Sequence, residues 1–236
     1  MIDWHSHILP GMDDGSRDPH ESIAMLEALE SQGVDTVIAT PHFYANKESV
    51  EKFLSRRRES YSLLCEKATK TNVRVLCGAE VKFYPGISRM EELQKLTIEN
   101  TNLLLLEMPF KRWTNHTIGE LIELANMRGL KIILAHIERY LSMQDRNTIE
   151  RLAERGILMQ VNGSFFEKLG TRPKAIRLLR MGRVQFVGSD CHNMTTRPPR
   201  ISPAYRLIGK KCGEQFAEQM NAYGYHVLGF SQNTEF

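Results

Sequence analysis

The chain has 236 residues, 42% hydrophobic and 25% charged, with a formal net charge of +3; this suits one sizeable core and gives no argument for nucleic acid or an anionic membrane as partner. No apolar run approaches the roughly 18 residues of a transmembrane helix, and the opening MIDWHSHILP places acid and histidine where a signal peptide is basic and then apolar. Four cysteines without a CxxC pair exclude a zinc ribbon and a thioredoxin-type motif, so a cytoplasmic protein with reduced thiols and no membrane insertion is expected.

Strands are expected near 1–5, 35–40, 73–81, 102–107, 131–136, 157–162 and 183–189. Asp18-Pro19-His20-Glu21 reads as an N-cap, a first-turn proline and a capping-box glutamate. Ile23, Leu26 and Leu29 then share one helix face. A second helix is expected over 47–71, with Arg56-Arg57-Arg58 as a solvated face. Ser202-Pro203 opens a last helix. A phrase recurs four times: a helix, a glycine (Gly33, Gly129, Gly156, Gly182), then a short apolar run. Glycine after a helix takes the left-handed backbone conformation. The runs do not alternate, which is the pattern of strands buried on both faces. Alternating strands and helices mean α/β, either a doubly wound sheet or a barrel. No G-x-G-x-x-G follows the first strand, which argues against a dinucleotide fold. No linker divides the chain, so a single domain over 1–236 is expected.

Chemistry gathers where the strands end. His5 and His7 follow the first strand, His42 the second, Glu80 the third, Glu107 the fourth and His136 the fifth. Asn162 follows the sixth, and Asp190 and His192 the seventh. In a βα barrel these ends meet on one rim. Polar residues commonly end strands, but five of the eight histidines stand at these places. Residues i and i+2 of a strand point to one side, so His5 and His7 can share a metal. Imidazoles and carboxylates without thiolates favour Mn, Fe or Zn. Asp14, from the loop GMDDG, adds a further candidate. Asp13 reads as a turn residue, Tyr140 as packing, and His20, His116 and His226 as surface residues. Glu138 either orients Arg139 or faces solvent.

Cys191-x5-Arg197 also fits the spacing of cysteine-dependent phosphatases. A thiolate of that kind needs a curled loop of backbone N–H groups leading into a helix. CHNMTTR has no glycine and runs into PPRISP, so the thiolate reading is set aside.

The segments DWHSHILPGMDDG, ATPHF, GAEV, LLLEMPF, AHIERY and SDCHN....RPP, in that order, resemble the polymerase and histidinol phosphatase (PHP) family of metal-dependent phosphoesterases. Within it the chain is similar to bacterial manganese-dependent protein tyrosine phosphatases of capsule and exopolysaccharide operons. The resemblance runs from Met1 to about Tyr223. It implies an α/β fold, a distorted seven-stranded, TIM-like (β/α) barrel, with three divalent metal ions, Mn first, with Fe, Co or Zn as alternatives. His5, His7, Glu80 and Asp190 would hold the first ion. Glu80 would bridge to a second, completed by Glu107 and His136. Asp14, His42 and His192 would hold the third. Arg139 and Arg197 would be the catalytic arginines that contact the substrate phosphate. The implied reaction is attack of a metal-held hydroxide on phosphotyrosine of a protein, such as a bacterial tyrosine kinase tail. A histidinol-phosphatase-like enzyme, another barrel hydrolase and a non-catalytic kinase partner are the alternatives. FKRWTNH (110–116) and the C-terminal HVLGFSQNTEF have no counterpart, and the latter is expected to fray.

Overall fold

The computed structural model describes residues 1–68, 71–127 and 129–230. Its strands are β1 (Ile2–Ser6), β2 (Thr36–Ala39), β3 (His42–Phe43), β4 (Arg74–Cys77), β5 (Glu80–Lys82), β6 (Leu103–Glu107), β7 (Lys131–Leu134), β8 (Leu158–Asn162) and β9 (Phe186–Gly188). The helices are α1 (Pro19–Glu30), α2 (Val50–Lys67), α3 (Asn115–Asn126), α4 (Arg146–Glu154), α5 (Ser164–Glu167), α6 (Arg172–Arg180), α7 (Ser202–Cys212) and α8 (Glu214–Val227). All described ladders are parallel. They form a three-stranded sheet, β1-β2-β4, and a curled six-stranded one, β3-β5-β6-β7-β8-β9.

The expected seven-stranded barrel is therefore met in part: the fold is α/β and parallel, but two of the expected strands break. The second stops at Ala39 and resumes at His42, because Pro41 has no N–H for a ladder. The third stops at Cys77 and resumes at Glu80, where Gly78 donates to Ala39 O at 2.8 Å and Glu80 to Pro41 O at 3.0 Å. Across the other seam, Asp190 N–H donates to His5 O at 2.7 Å and His7 N–H to Cys191 O at 2.9 Å. Gly188 allows that approach: a Cβ there would lie 2.6 Å from His5 Cβ.

The apolar runs face two ways, as strands buried on both sides must. Leu103 and Leu105 pack with Trp4, Ile38, Ile133 and Phe186, while Leu104 and Leu106 join the larger core with Met25, Leu121 and Leu134. Trp4 and Phe186 stack with ring centroids 3.8 Å apart. The four post-helix glycines all have positive φ, between 65° and 83°.

Asp18 caps α1, accepting from the N–H groups of His20 and Glu21 at 2.9 and 3.0 Å. The capping box closes differently from expectation: Glu21 accepts from Arg17 N–H at 3.1 Å. The second helix is shorter than expected, opening at its Ser49 cap. The basic run is not wholly a solvated face. Arg56 and Arg57 are half-buried and donate to Met12 O and Gly78 O, and Arg58 alone of the three is exposed. Nor is α7 the last helix. Glycine at 213 (φ 104°) ends it, and α8 follows and packs on β1. The tail expected to fray begins inside α8; Leu228 is buried and Phe230 lies under Arg74, while 231–236 fall outside the described residues. No helix among the described residues is long and apolar enough to cross a membrane.

Candidate metal centre

The strand ends deliver the sequence candidates to one place. Glu80 stands at its middle. One of its oxygens, Oε2, lies 3.3 Å from His5 Nε2, 3.4 Å from His7 Nε2 and 3.0 Å from His42 Nδ1. Its Oε1 lies 2.8 Å from His136 Nε2, and Glu107 Oε1 is 3.7 Å from that same nitrogen. Asp190 Oδ1 lies 3.7 Å from His5 Nε2 and 3.6 Å from His7 Nε2. Asp14 Oδ1 is 3.5 Å from both His42 Nε2 and His192 Nε2. Donor atoms converge in three overlapping groups: His5, His7 and Asp190; His42, Glu80 and Glu107; His7, Asp14, His42 and His192. His7 thus belongs to two groups, and His136 joins through Glu80. Asp14 lies at the mouth with its side chain 66% exposed, whereas His5, His7 and Glu80 are buried.

Local backbone aims two of these residues. His136 and Asp190 have φ of 34° and 53°, in the left-handed region where a side-chain-bearing residue is strained by about 1–3 kcal/mol. Each sits where a strand turns into its loop, so the side chain swings into the cluster instead of continuing the pleat.

The imidazoles are held by their far nitrogens. His7 Nδ1 donates to Asp13 Oδ2 at 2.7 Å, His5 Nδ1 to Gln160 Oε1 at 3.3 Å and His192 Nδ1 to the Asp190 carbonyl at 3.0 Å. Those acceptors place a proton on each Nδ1, which leaves Nε2 as the nitrogen that offers a lone pair to a cation when the ring is neutral. His5 Nε2 and His7 Nε2 consequently face each other at 3.2 Å, and His192 Nε2 is buried without a hydrogen-bond partner. Two such nitrogens at this distance call for positive charge between them, from a proton or a metal ion. This donor set of imidazole nitrogens and carboxylate oxygens fits a divalent metal of the Mn, Fe or Zn kind.

The titration pattern of the cluster shows how strongly it favours positive charge. Burial would lower His7, but Asp13 and Glu80 push it up to about 10. Burial would raise Glu80, yet His5 and the surrounding imidazoles hold it well below the usual carboxylate range. Asp190 is lowered likewise, against burial, by His5, His7 and Arg139. His192 goes the other way, down to about 4, through burial and then through His7 beside it.

The family model "Capsular polysaccharide synthesis, CpsB/CapC" matches residues 1–224. The chain belongs to this family. It is 32% identical over 222 residues to the tyrosine-protein phosphatase YwqE of Bacillus subtilis, covering 91% of this chain and 86% of that one. It is 32% identical over 242 residues to the tyrosine-protein phosphatase CpsB of Streptococcus pneumoniae, covering 93% and 94%. Its fold matches a chain from the crystal structures of YwqE and CpsB, described as unique metal-dependent tyrosine phosphatases. The TM-score is 0.80 and the identity 25%, over 98% of this chain and 96% of that one. A histidinol phosphate phosphatase of Lactococcus lactis matches at a TM-score of 0.50 and 12% identity, a likeness of fold.

Both arginines singled out in the sequence stand beside this CpsB/CapC cluster. Arg139 donates to Asp190 Oδ2 at 2.5 Å and Arg197 to Asp190 Oδ1 at 2.8 Å; each is a little over a third exposed. They line, with Asn162, Ser164, Lys168 and Arg200, an open cavity of about 340 Å³. Asn162 steadies Asp190 through a 2.8 Å bond from its amide.

Three residues matter here beyond what the sequence reading gave them: Asp13, Gln160 and Lys82. Asp13 is not merely a turn residue. Besides closing the turn to Gly15 N–H (2.9 Å), it accepts from His7 and from His42 N–H (2.8 Å), with a side chain only 6% exposed. Its carboxyl is held low, against burial, by His7. Gln160 orients His5 and also accepts from His136 N–H at 2.7 Å; a glutamine inside the apolar run LMQVN was the available signal. Lys82 pairs with Glu107 at 2.7 Å. Tyr140 does pack, and its hydroxyl also accepts from Met108 N–H at 3.0 Å. Glu138 neither faces solvent freely nor bonds Arg139; it accepts from Asn162 N–H at 3.3 Å, and burial pushes it up to about 7. His20, His116 and His226 are exposed, as expected.

The thiol of Cys191 is fully buried, and burial pushes it above its ordinary range. The N–H groups of Thr195, Thr196 and Arg197 all point at Asn193 Oδ1, at 3.0, 2.7 and 3.1 Å. No cradle of free N–H groups therefore surrounds that sulfur, and a thiolate mechanism has neither its nucleophile nor its phosphate loop.

Proposed function

We propose that the chain is a metal-dependent protein tyrosine phosphatase, acting in the cytoplasm on phosphotyrosine of a bacterial tyrosine kinase tail in capsular or exopolysaccharide synthesis. The observation that carries this reading is the pair of buried imidazole nitrogens facing each other at 3.2 Å between Glu80 and Asp190, with two arginines alongside. Its relatives' activity supports the substrate class.

His5, His7, Glu80 and Asp190 are read as holding a first divalent ion. Glu80, Glu107 and His136 would hold a second, and Asp14, His42 and His192 a third, with Mn the first choice. Bound ions supply Lewis-acid neutralisation of phosphoryl charge and an ionisable water near neutral pH. Asp13 and Gln160 keep the Nδ1 protons of His7 and His5 in place, so that Nε2 stays free for coordination. Arg139 and Arg197 bind the phosphoryl oxygens, since a planar guanidinium donates two bonds to such a group. Water oxygen bonds to phosphorus, the bond from phosphorus to the tyrosyl oxygen breaks, and the phenolate leaves with the bonding pair. The proton given up by the water goes to solvent, from which the phenolate is later protonated. The phenol's pKa of about 10 lets the phenolate depart without a strong general acid. The two sheets are read as one distorted seven-stranded (β/α) barrel in a single domain, 1–236; the bonds across β9 and β1 support this.

Stripping the protein with chelator and adding back Mn, Fe, Co or Zn tests the reading. Activity on a phosphotyrosyl peptide should vanish and return, best with Mn. Turnover indifferent to chelation would sink the metal reading. Faster turnover of histidinol phosphate would move the function to a small-molecule phosphatase.

A further inference from the structure

Phe110 is a large apolar side chain left 45% exposed at the rim of the metal centre. Single exposed apolar residues are ordinary, but this one is held in place from several sides. Its loop is pinned by bonds from Trp113 Nε1 to Pro109 O (3.0 Å) and from Lys111 N–H to Pro109 O (2.8 Å). Gln144 binds the same loop twice, accepting from Trp113 N–H at 3.0 Å and donating to Lys111 O at 2.8 Å. Arg112 pairs with Asp145 at 2.6 Å.

The ring stacks on His136, centroids 5.8 Å apart and planes 27° apart, and on Tyr140 at 5.5 Å and 22°. Two cations flank it. Lys82 Nζ lies 4.7 Å from its centroid and the Arg139 guanidinium carbon 5.9 Å. Beyond Lys82 opens a cavity of about 240 Å³ lined by Tyr44, Ala45, Asn46, Lys82 and Tyr84. Tyr44 in turn lies 5.3 Å from the His42 ring. Aromatic rings, Phe110 and Tyr44, therefore stand at the rim of the cluster, and Arg139 joins the Phe110 ring to the arginine-lined cavity.

We propose that Phe110 is a substrate-binding residue whose exposed face receives the aromatic ring of the phosphoester's leaving group, and so selects aryl over alkyl phosphates. The inference rests on the phosphatase reading. A pinned ring loses little freedom on binding, and offset aromatic stacking adds to the burial of the two faces. Lys82 and Arg139 stand over part of the ring, so the remaining exposed part is bordered by positive charge, and Arg139 ties the ring to the phosphate side of the site.

The test is direct binding by calorimetry to protein loaded with Mn, using benzylphosphonate and ethylphosphonate, which differ in the ring and cannot be hydrolysed. Wild-type protein should prefer benzylphosphonate. Phe110→Ala should weaken benzylphosphonate about threefold to tenfold while ethylphosphonate changes less than twofold, and Phe110→Trp should retain the preference. Equal weakening of both ligands would make Phe110 a shield for His136 and overturn the proposal. So would an unchanged preference in Phe110→Ala, or no preference in the wild type. Because binding is read without turnover, a protein that binds benzylphosphonate through Phe110 yet hydrolyses no phosphotyrosyl peptide would overturn the phosphatase reading alone.

Discussion

Asp13→Asn is the sharpest perturbation of the centre, because it alters no candidate ligand and almost no volume. The carboxylate accepts three hydrogen bonds, from His7 Nδ1 (2.7 Å), His42 N–H (2.8 Å) and Gly15 N–H (2.9 Å). An asparagine has one acceptor oxygen and one NH₂ group. If its NH₂ turns to Gly15, two donors oppose each other and the turn opens. If it turns to His7, the imidazole must give up its Nδ1 proton, and the tautomer with the proton on Nε2 points that proton into the cluster. Either way a bond to a charged acceptor is lost, worth about 1.5–3 kcal/mol. Loss of such an orienting partner weakens metal binding about tenfold to hundredfold. Competition with a fluorescent chelator for Mn reads the effect, with a melting curve to show that the variant folds. Asp14→Asn is the contrast, since Asp14 contacts His42 and His192 and leaves His7 anchored. If Asp13→Asn binds Mn within twofold of the wild type, the argument from the His7 tautomer is wrong.

Three further outcomes are expected. Cys191→Ala should keep turnover and Mn content near wild type, and iodoacetamide should leave activity intact; loss of turnover with metal retained would revive the thiolate. Arg139→Ala and Arg197→Ala should each raise KM for a phosphotyrosyl peptide about tenfold to hundredfold, the worth of a charge-assisted bond, with Mn retained. Metal loss instead would assign these arginines to holding Asp190. Asp3 is buried with Oδ2 unpartnered, and burial pushes it from 3.8 up to about 6, against bonds from Ser189 and His5 that lower it. The folded state therefore holds this proton more tightly than the unfolded one. Its contribution to stability is complete below pH 4 and fades as pH rises through 6, by about 3 kcal/mol at most. Urea unfolding of metal-free wild type and Asp3→Asn should show the variant gaining between pH 4 and pH 7; a pH-independent difference would refute this.

Much of the site was legible because its signals are local or strand-bound. His5-x-His7, His42, Glu80, Glu107, His136, Asp190 and His192 each follow an apolar run, and parallel strands carry such ends to one rim. Helix caps and post-helix glycines were legible for a similar reason: they satisfy backbone groups within a few residues. The turn role of Asp13 was legible because its bond to Gly15 is local, whereas its bond to His42, which spans 29 residues, was not. The breaks that split β2 from β3 and β4 from β5 depend on which neighbour takes over the ladder. Phe110 stands in FKRWTNH, the segment without a counterpart, and its setting between Tyr140 and Lys82 exists only in the folded chain.

The amino-acid order thus determined which atoms are available: imidazoles and carboxylates at strand ends, arginines one loop further, and a cysteine between two candidate ligands. It also determined the family, since those segments recur in order along the chain. Tertiary structure decided what each atom can do. Proton positions on His5, His7 and His192 follow from acceptors supplied by Gln160, Asp13 and the Asp190 carbonyl. The inertness expected of Cys191 rests on its burial and on Asn193 occupying the N–H groups of Thr195, Thr196 and Arg197. Lone-pair direction, desolvation and charge all fall off within a few ångströms, so they are properties of neighbours in space rather than neighbours in sequence.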